Sequence, residues 1–156
     1  DDRWHLEGVG PTPSRSVMVV QRQLRISAVA ESLPDVMAFF HDFWSTTALP
    51  DASAFPFELA VEELFLNVAS HGATAAARAP EVVITLQYDG ADAVLTIEDD
   101  GRAFDPLSLP EPDTAAAVPD RAVGGLGVFL VRKLMDTVTY EHTGTHNRLS
   151  LRKVIP

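Results

Sequence analysis

Two runs of alternating residues, 81–88 and 93–99, flank Asp89-Gly90, and this arrangement limits the fold more than any other feature of the chain. In the first run Val82, Ile84, Leu86 and Tyr88 share one face; in the second Ala93, Leu95 and Ile97 do. Asp-Gly tolerates the left-handed backbone that a tight hairpin needs, so the runs read as adjacent antiparallel strands. Residues 137–142 and 148–153 form a second pair around Gly144. Strands that come in hairpins, instead of alternating singly with helices, point away from a doubly wound parallel sheet. The order β-α-α-β-β-loop-α-β-β predicts an α/β (α+β) two-layer sandwich: a mixed, mostly antiparallel sheet with helices on one face.

The remaining elements follow from the same periodicities. Leu24, Ile26 and Ala28 alternate in a strand over 23–28. Ser32 is placed to cap a helix whose buried stripe is Val36, Phe39, Phe40 and Phe43. Residues 48–56, with Pro50 and Pro56, read as the connection to the next helix. With 156 residues, 46% of them hydrophobic, the chain can bury one substantial core. Residues 1–16 carry Gly8, Gly10, Pro11 and Pro13 without periodicity, so 1–19 reads as a linker or tail and 20–156 as the domain. The chain opens on Asp1, not Met, which is compatible with further domains upstream. No cysteine is present, hence no disulfide and no thiol chemistry. A net charge of −10 argues against direct nucleic-acid binding, which needs a basic surface. No apolar run reaches the length of a membrane span and no signal peptide is visible, so the expected location is the cytoplasm.

Three segments carry chemistry. In the helix after residue 56, Glu63, Asn67 and His71 stand at i, i+4 and i+8 on one face, while Val61, Leu64, Phe65 and Val68 form the core-facing stripe. A carboxylate one turn from an amide oxygen suits Mg²⁺ with its waters, or the orientation of a nucleophile. Taken alone, it is also what an ordinary solvated helix face carries. In the second segment Asp99 continues the core-facing row of Ala93, Leu95 and Ile97, where a carboxylate is costly unless a donor meets it. A ligand with an exocyclic amino group, such as adenine, would be one; a strand that ends at Ile97 is the plainer reading. The third is Val123-Gly124-Gly125-Leu126-Gly127 ahead of an apolar-periodic segment, 128–135, where close backbone approach and free helix N–H groups suit an anion. It lacks the Gly-Lys-Ser/Thr of a Walker loop, and a loop that needs glycine for packing is the alternative.

In this order, the three segments resemble the N, G1 and G2 boxes of the ATPase superfamily of gyrase, the Hsp90 chaperone, histidine kinases and MutL. Glu63-x-x-x-Asn67-x-x-x-His71-Gly72, Asp99-x-Gly101 and Gly124-Gly-Leu-Gly127 with Leu130-Val-Arg-Lys-Leu-Met-Asp136 look most like the bacterial anti-sigma-factor serine/threonine kinases, over residues 22–153. The resemblance implies a Bergerat-type ATP-binding fold with ATP and Mg²⁺ as cofactors. It makes Glu63 the residue that activates the attacking hydroxyl and Asn67 the Mg²⁺ ligand. Asp99 would receive the adenine amino group, with Gly101 letting the base lie close. Gly124, Gly125, Leu126 and Gly127 would form the phosphate loop, and His71 a less defined part of the site. Ala103 stands where the family pattern has a second glycine, and the resemblance places it with the nucleotide-binding residues.

The stretch 101–124, with Pro106, Pro110, Pro112 and Pro119 among acidic residues, reads as a lid over ATP that lacks the periodicity to pack by itself. Its acidic residues read as solvated. The function implied by the resemblance is partner switching: the chain sequesters a sigma factor and phosphorylates a small anti-sigma-factor antagonist, acting as a homodimer. The alternatives are an ATP-binding switch with little phosphoryl transfer, and the catalytic ATPase domain of a histidine kinase.

Overall fold

The computed structural model describes residues 18–73, 78–111 and 125–156. Five strands form one sheet: β1 (Val20–Ser27), β2 (Glu81–Tyr88), β3 (Asp92–Asp99), β4 (Thr137–Thr143) and β5 (His146–Val154), in the spatial order β1-β2-β3-β5-β4. Three helices, α1 (Leu33–Thr46), α2 (Ala54–His71) and α3 (Gly125–Leu134), complete the α+β sandwich. Every strand pairing is antiparallel, where a mixed sheet was expected. The chain order explains the difference. β5 inserts between β3 and β4, so the two strands on either side of α3, which run parallel, never touch.

Alternation decides which face is buried. Val82, Ile84 and Leu86 of β2, Ala93, Leu95 and Ile97 of β3, and Leu149 and Leu151 of β5 all turn to the helices. The hairpin behaves as its sequence suggests: Gly90 takes φ 91°, and Asp89 Oδ1 accepts from the N–H of Ala91 (2.9 Å) and Asp92 (2.7 Å). Between α1 and α2 lies an aromatic seam, Phe40 stacked on Trp44 at 5.2 Å and Trp44 against Phe57 at 5.1 Å. Trp44 Nε1 donates to the Pro50 carbonyl at 3.1 Å, so the indole's one polar atom is satisfied. Each such buried aromatic contributes about 1.5–3 kcal/mol by leaving water.

Three boundaries differ from the sequence reading. Ser32 makes no side-chain cap; residues Ala30–Ser32 form a 3-10 turn that leads into α1 directly. Pro56 lies inside the first turn of α2, where the missing N–H costs nothing, so the helix starts at Ala54. The beginning of the supposed lid is packed: Pro106–Ser108 is a 3-10 turn capped by Asp105, Pro106 is buried, and Leu107 and Leu109 sit against the core. Those leucines are spaced for a turn, not a helix, so helical periodicity missed them. The rest of that stretch, 112–124, lies outside the described residues, as do residues 1–17. Among the described residues no helix is long and apolar enough to cross a membrane.

Candidate functional site

The polar stripe of α2 and the ends of β3 and β5 meet at one end of the sandwich. A pocket opens there, of about 400 Å³ with its mouth included. Leu64, Val68, Ile97, Phe104 and Leu149 give it apolar walls, and Asn67, Asp99 and Asn147 supply polar atoms. Apolar walls with a few convergent polar groups are what a planar ligand needs to be both held and oriented.

Asp99 closes the buried row of β3, as its place in the alternation requires, and is only 6% exposed. Its Oδ1 accepts from Gly101 N–H at 2.9 Å and from Asn147 Nδ2 at 3.0 Å. Among the described residues no donor meets Oδ2. Burial pushes the carboxyl above its ordinary range, and the bonds from Asn147 and Gly101 oppose that rise.

Asn147 is the residue the sequence reading missed. The strand was started at Arg148, which left Asn147 in the turn; β5 in fact begins at His146, and Asn147 pairs with Asp99 across the ladder. The signal was available: Asn147, Leu149 and Leu151 alternate, so a polar residue ends a core-facing row just as Asp99 does. Its amide donates to the Arg102 carbonyl (2.9 Å) and accepts from Phe104 N–H (3.3 Å) and from the Tyr140 hydroxyl.

Gly101 does not line the pocket. A Cβ there would lie 2.5 Å from the Gly72 carbonyl oxygen and 2.9 Å from Pro80, so packing beneath Asp99 by itself requires glycine. Ala103, expected beside the nucleotide, is exposed and also outside the lining. Its neighbours take the inward positions: Arg102 N–H bonds the Gly72 carbonyl at 3.1 Å and Phe104 turns to Asn147. His71 is exposed in the last turn of α2, its ring stacked on Phe104 at 4.6 Å and 18°; it backs the pocket wall instead of facing the cavity.

Asn67 lines the pocket and is buried, yet its Nδ2 has no hydrogen-bond partner. An orphaned buried amide is costly in a folded chain and is commonly completed by a ligand. Among the described residues no three acidic, imidazole or thiol side chains converge, so a Mg²⁺ held here would draw most of its ligands from phosphate and water. Asn67 fits that role through its amide oxygen, while its unpaired Nδ2 would donate to phosphate.

Glu63, one turn earlier, is half-buried where α3 meets α2. Burial raises its carboxyl above the usual range, and the neighbouring Glu62 adds to the rise. The glycine segment is built differently from the expected loop. Gly125, Leu126 and Gly127 lie within α3, whose first N–H groups have no intrahelical partner. A methyl group on Gly127 would overlap the Glu63 carboxylate, so this glycine sets how closely α3 approaches that side chain. Leu126 is 38% exposed. Gly124 lies outside the described residues.

Comparison with known proteins agrees with this geometry. Residues 26–153 match the family described as histidine kinase-like ATPase domain. The chain is 28% identical over 133 residues to the serine/threonine-protein kinase BtrW of Bordetella bronchiseptica, covering 82% of this chain and 89% of that protein. Its fold matches part of the crystal structure of the RsbU and RsbW domains of Rv1364c from Mycobacterium tuberculosis, with a TM-score of 0.62 at 12% identity over 88% of this chain. This chain spans about a third of that longer one, covering 33% of it. The chain belongs to the histidine kinase-like ATPase domain family, and it resembles the serine/threonine kinases of that family.

Proposed function

We propose that this chain binds ATP with Mg²⁺, phosphorylates a serine or threonine on a small anti-sigma-factor antagonist, and sequesters a sigma factor when the antagonist no longer competes. The observation that carries the reading is Glu63. It is a half-buried carboxylate with its pKa raised, one turn from an orphaned Asn67 amide and against the first turn of α3. A chain that only bound nucleotide would have no use for a desolvated base there.

In this reading Asp99 Oδ2 accepts from the exocyclic amino group of the base, and the apolar walls hold the ring. The unpaired N–H groups at the start of α3 face phosphate. Asn67 holds Mg²⁺ through its amide oxygen; the bound ion would offset phosphate charge. Glu63 takes the proton from the substrate hydroxyl as its oxygen bonds the γ-phosphorus and the bond to the β-phosphate oxygen breaks, releasing ADP. Its raised pKa brings it nearer the working pH without making it a strong base. The printed name of the Bordetella relative supports the kinase; the partner-switching setting and a homodimer rest on the motif resemblance alone.

Immobilised chain loaded with ATP or ADP tests this when co-purifying proteins are identified by mass spectrometry and mapped for phosphate. The expected result is a small partner that acquires phosphoserine or phosphothreonine with ATP, and not with the Glu63→Gln chain. ATP bound without phosphate appearing on any captured protein would leave a binding-only switch.

A further inference from the structure

Building on the reading of this pocket as a nucleotide site, we propose that Asn147 is a positioning residue that sets base specificity. It holds Asp99 with a single oxygen toward the pocket, and so selects a purine bearing an exocyclic amino group over one bearing a carbonyl at the same position.

The two ends of an asparagine amide are ordinarily hard to tell apart, but here the backbone assigns them. Phe104 N–H can only donate, so the atom it meets at 3.3 Å is Oδ1. The Arg102 carbonyl can only accept, so the atom 2.9 Å from it is Nδ2. Nδ2 is therefore also the atom 3.0 Å from Asp99 Oδ1, and it donates there. The Tyr140 hydroxyl, which meets Oδ1, must donate as well.

The consequence runs through Asp99. Its Oδ1 receives two donors, Gly101 N–H and Asn147 Nδ2, and has no room for a proton of its own. Only Oδ2 is left for a ligand. As a carboxylate oxygen it accepts from an amino group and repels a carbonyl. Tyr140, Asn147 and Asp99 thus form a line of hydrogen bonds with one polarity, from β4 through β5 to β3, ending at the pocket. A site that leaves a buried acceptor unpaired rejects the wrong ligand far more strongly than an apolar pocket can.

Asn147 also ties down the 101–104 turn, and a purely structural role would weaken all nucleotides alike. The experiment compares ATP with ITP, whose base has a carbonyl in place of the amino group, by calorimetry on the full chain. ADP is the control for the phosphate end. The unmodified chain should favour ATP over ITP by about 10-fold or more, the scale of one charge-assisted hydrogen bond.

In Asn147→Leu the carboxylate loses its side-chain donor while Oδ1 still accepts from Gly101 N–H, so a proton is taken up at Oδ2 and Asp99 can present a hydroxyl to a carbonyl. The ATP-to-ITP preference should fall to within about threefold, while the ATP-to-ADP ratio stays at its original value. Tyr140→Phe, which keeps both backbone bonds to Asn147, should move the preference the same way by about two- to fivefold.

A folded Asn147→Leu chain that loses ATP and ITP equally would overturn the proposal. If that variant does not fold, an unchanged preference in Tyr140→Phe does so. An unmodified chain that binds ATP and ITP equally would also overturn it, while leaving the nucleotide site standing. A chain that binds neither would overturn both.

Discussion

At the Asp99 end of the site, Asn147 ties together β3, β4, β5 and the 101–104 turn with its amide, and beneath it Gly101 packs on the Gly72 backbone with the Pro80 ring against both. At the Glu63 end, only one or two turns along α2, Asn67 has a buried amide nitrogen without a partner, and Glu63 has no cationic neighbour among the described residues. One end is tied down as folded, with Asp99 Oδ2 alone left open; the other holds polar groups without protein partners. A pocket divided in this way can grip a base rigidly while the groups that do chemistry wait for phosphate and metal.

The strongest test of that division removes the base while keeping its shape. Glu63→Gln should lower phosphoryl transfer by about 10²–10⁴-fold, the usual scale for a positioned general base, and leave ATP affinity within about threefold. Steady-state turnover read beside calorimetry separates the two. Loss of binding equal to the loss of turnover would mean that Glu63 holds nucleotide, and the two ends would no longer differ in kind.

Two glycine substitutions sharpen the comparison further. In Gly101→Ala the new methyl meets the Gly72 carbonyl, which is backbone and cannot swing aside. Thermal unfolding should show a loss of about 1–3 kcal/mol or more, as for an overpacked core. In Gly127→Ala the methyl meets the end of the Glu63 side chain, which can move. Stability should hold, helped by up to about 1 kcal/mol of helix propensity, while turnover falls because Glu63 is displaced. Equal stability losses in the two variants would show that α3 is packed as rigidly as the Asp99 end.

These contrasts also show where sequence reasoning reached and where it stopped. The hairpins, the three helices and the buried row ending in Asp99 were legible because each is a local periodicity. So was the shared face of Glu63 and Asn67, since i and i+4 on a helix meet in any fold. Asn147 was not, because its importance comes from a cross-strand pairing with Asp99, 48 positions earlier in the chain. Gly101 and Gly127 are legible as glycines, but the protein neighbours that require them, the Gly72 carbonyl in one case and the Glu63 carboxylate in the other, lie far away in sequence. Leu107 and Leu109 were passed over because a 3-10 turn places apolar residues two apart in a stretch that otherwise reads as loop.

The orphaned amide gives a test with an unusual sign. Replacing Asn67 with Leu removes a buried polar atom that has no partner, so the ligand-free chain should be as stable as before or gain about 1 kcal/mol. The same change should abolish the rise in melting temperature that Mg²⁺–ATP gives the unmodified chain. A large loss of stability without ligand would show that the amide is satisfied within the folded protein, and that the Glu63 end is as complete as the other.

The smallest effect is in pH. Glu63 has its pKa raised above the reference value of 4.5 by burial and by Glu62, so the fold favours its protonated form. For such a group the stabilising contribution is fully present below the unfolded value and is lost as pH rises through the folded one. Asp99 is raised as well and shifts stability in the same direction. Asp100 is lowered: burial works against this, but Glu81 N–H and Arg78 outweigh it, so its contribution is present above 3.8 and lost as pH falls through the lowered value. Asp99 and Asp100 are the same in the unmodified chain and in Glu63→Gln, and cancel when the two are compared. What remains is Glu63 alone. Near pH 7 the glutamine variant, free of a half-buried charge, should melt about 1–3 °C higher, and the gap should close as pH falls through the raised value to 4.5 and the glutamate takes up its proton. A gap of opposite sign at pH 7 would require a cation that stabilises the Glu63 carboxylate, and the contrast between the two ends would then lie in their partners and not in their completeness.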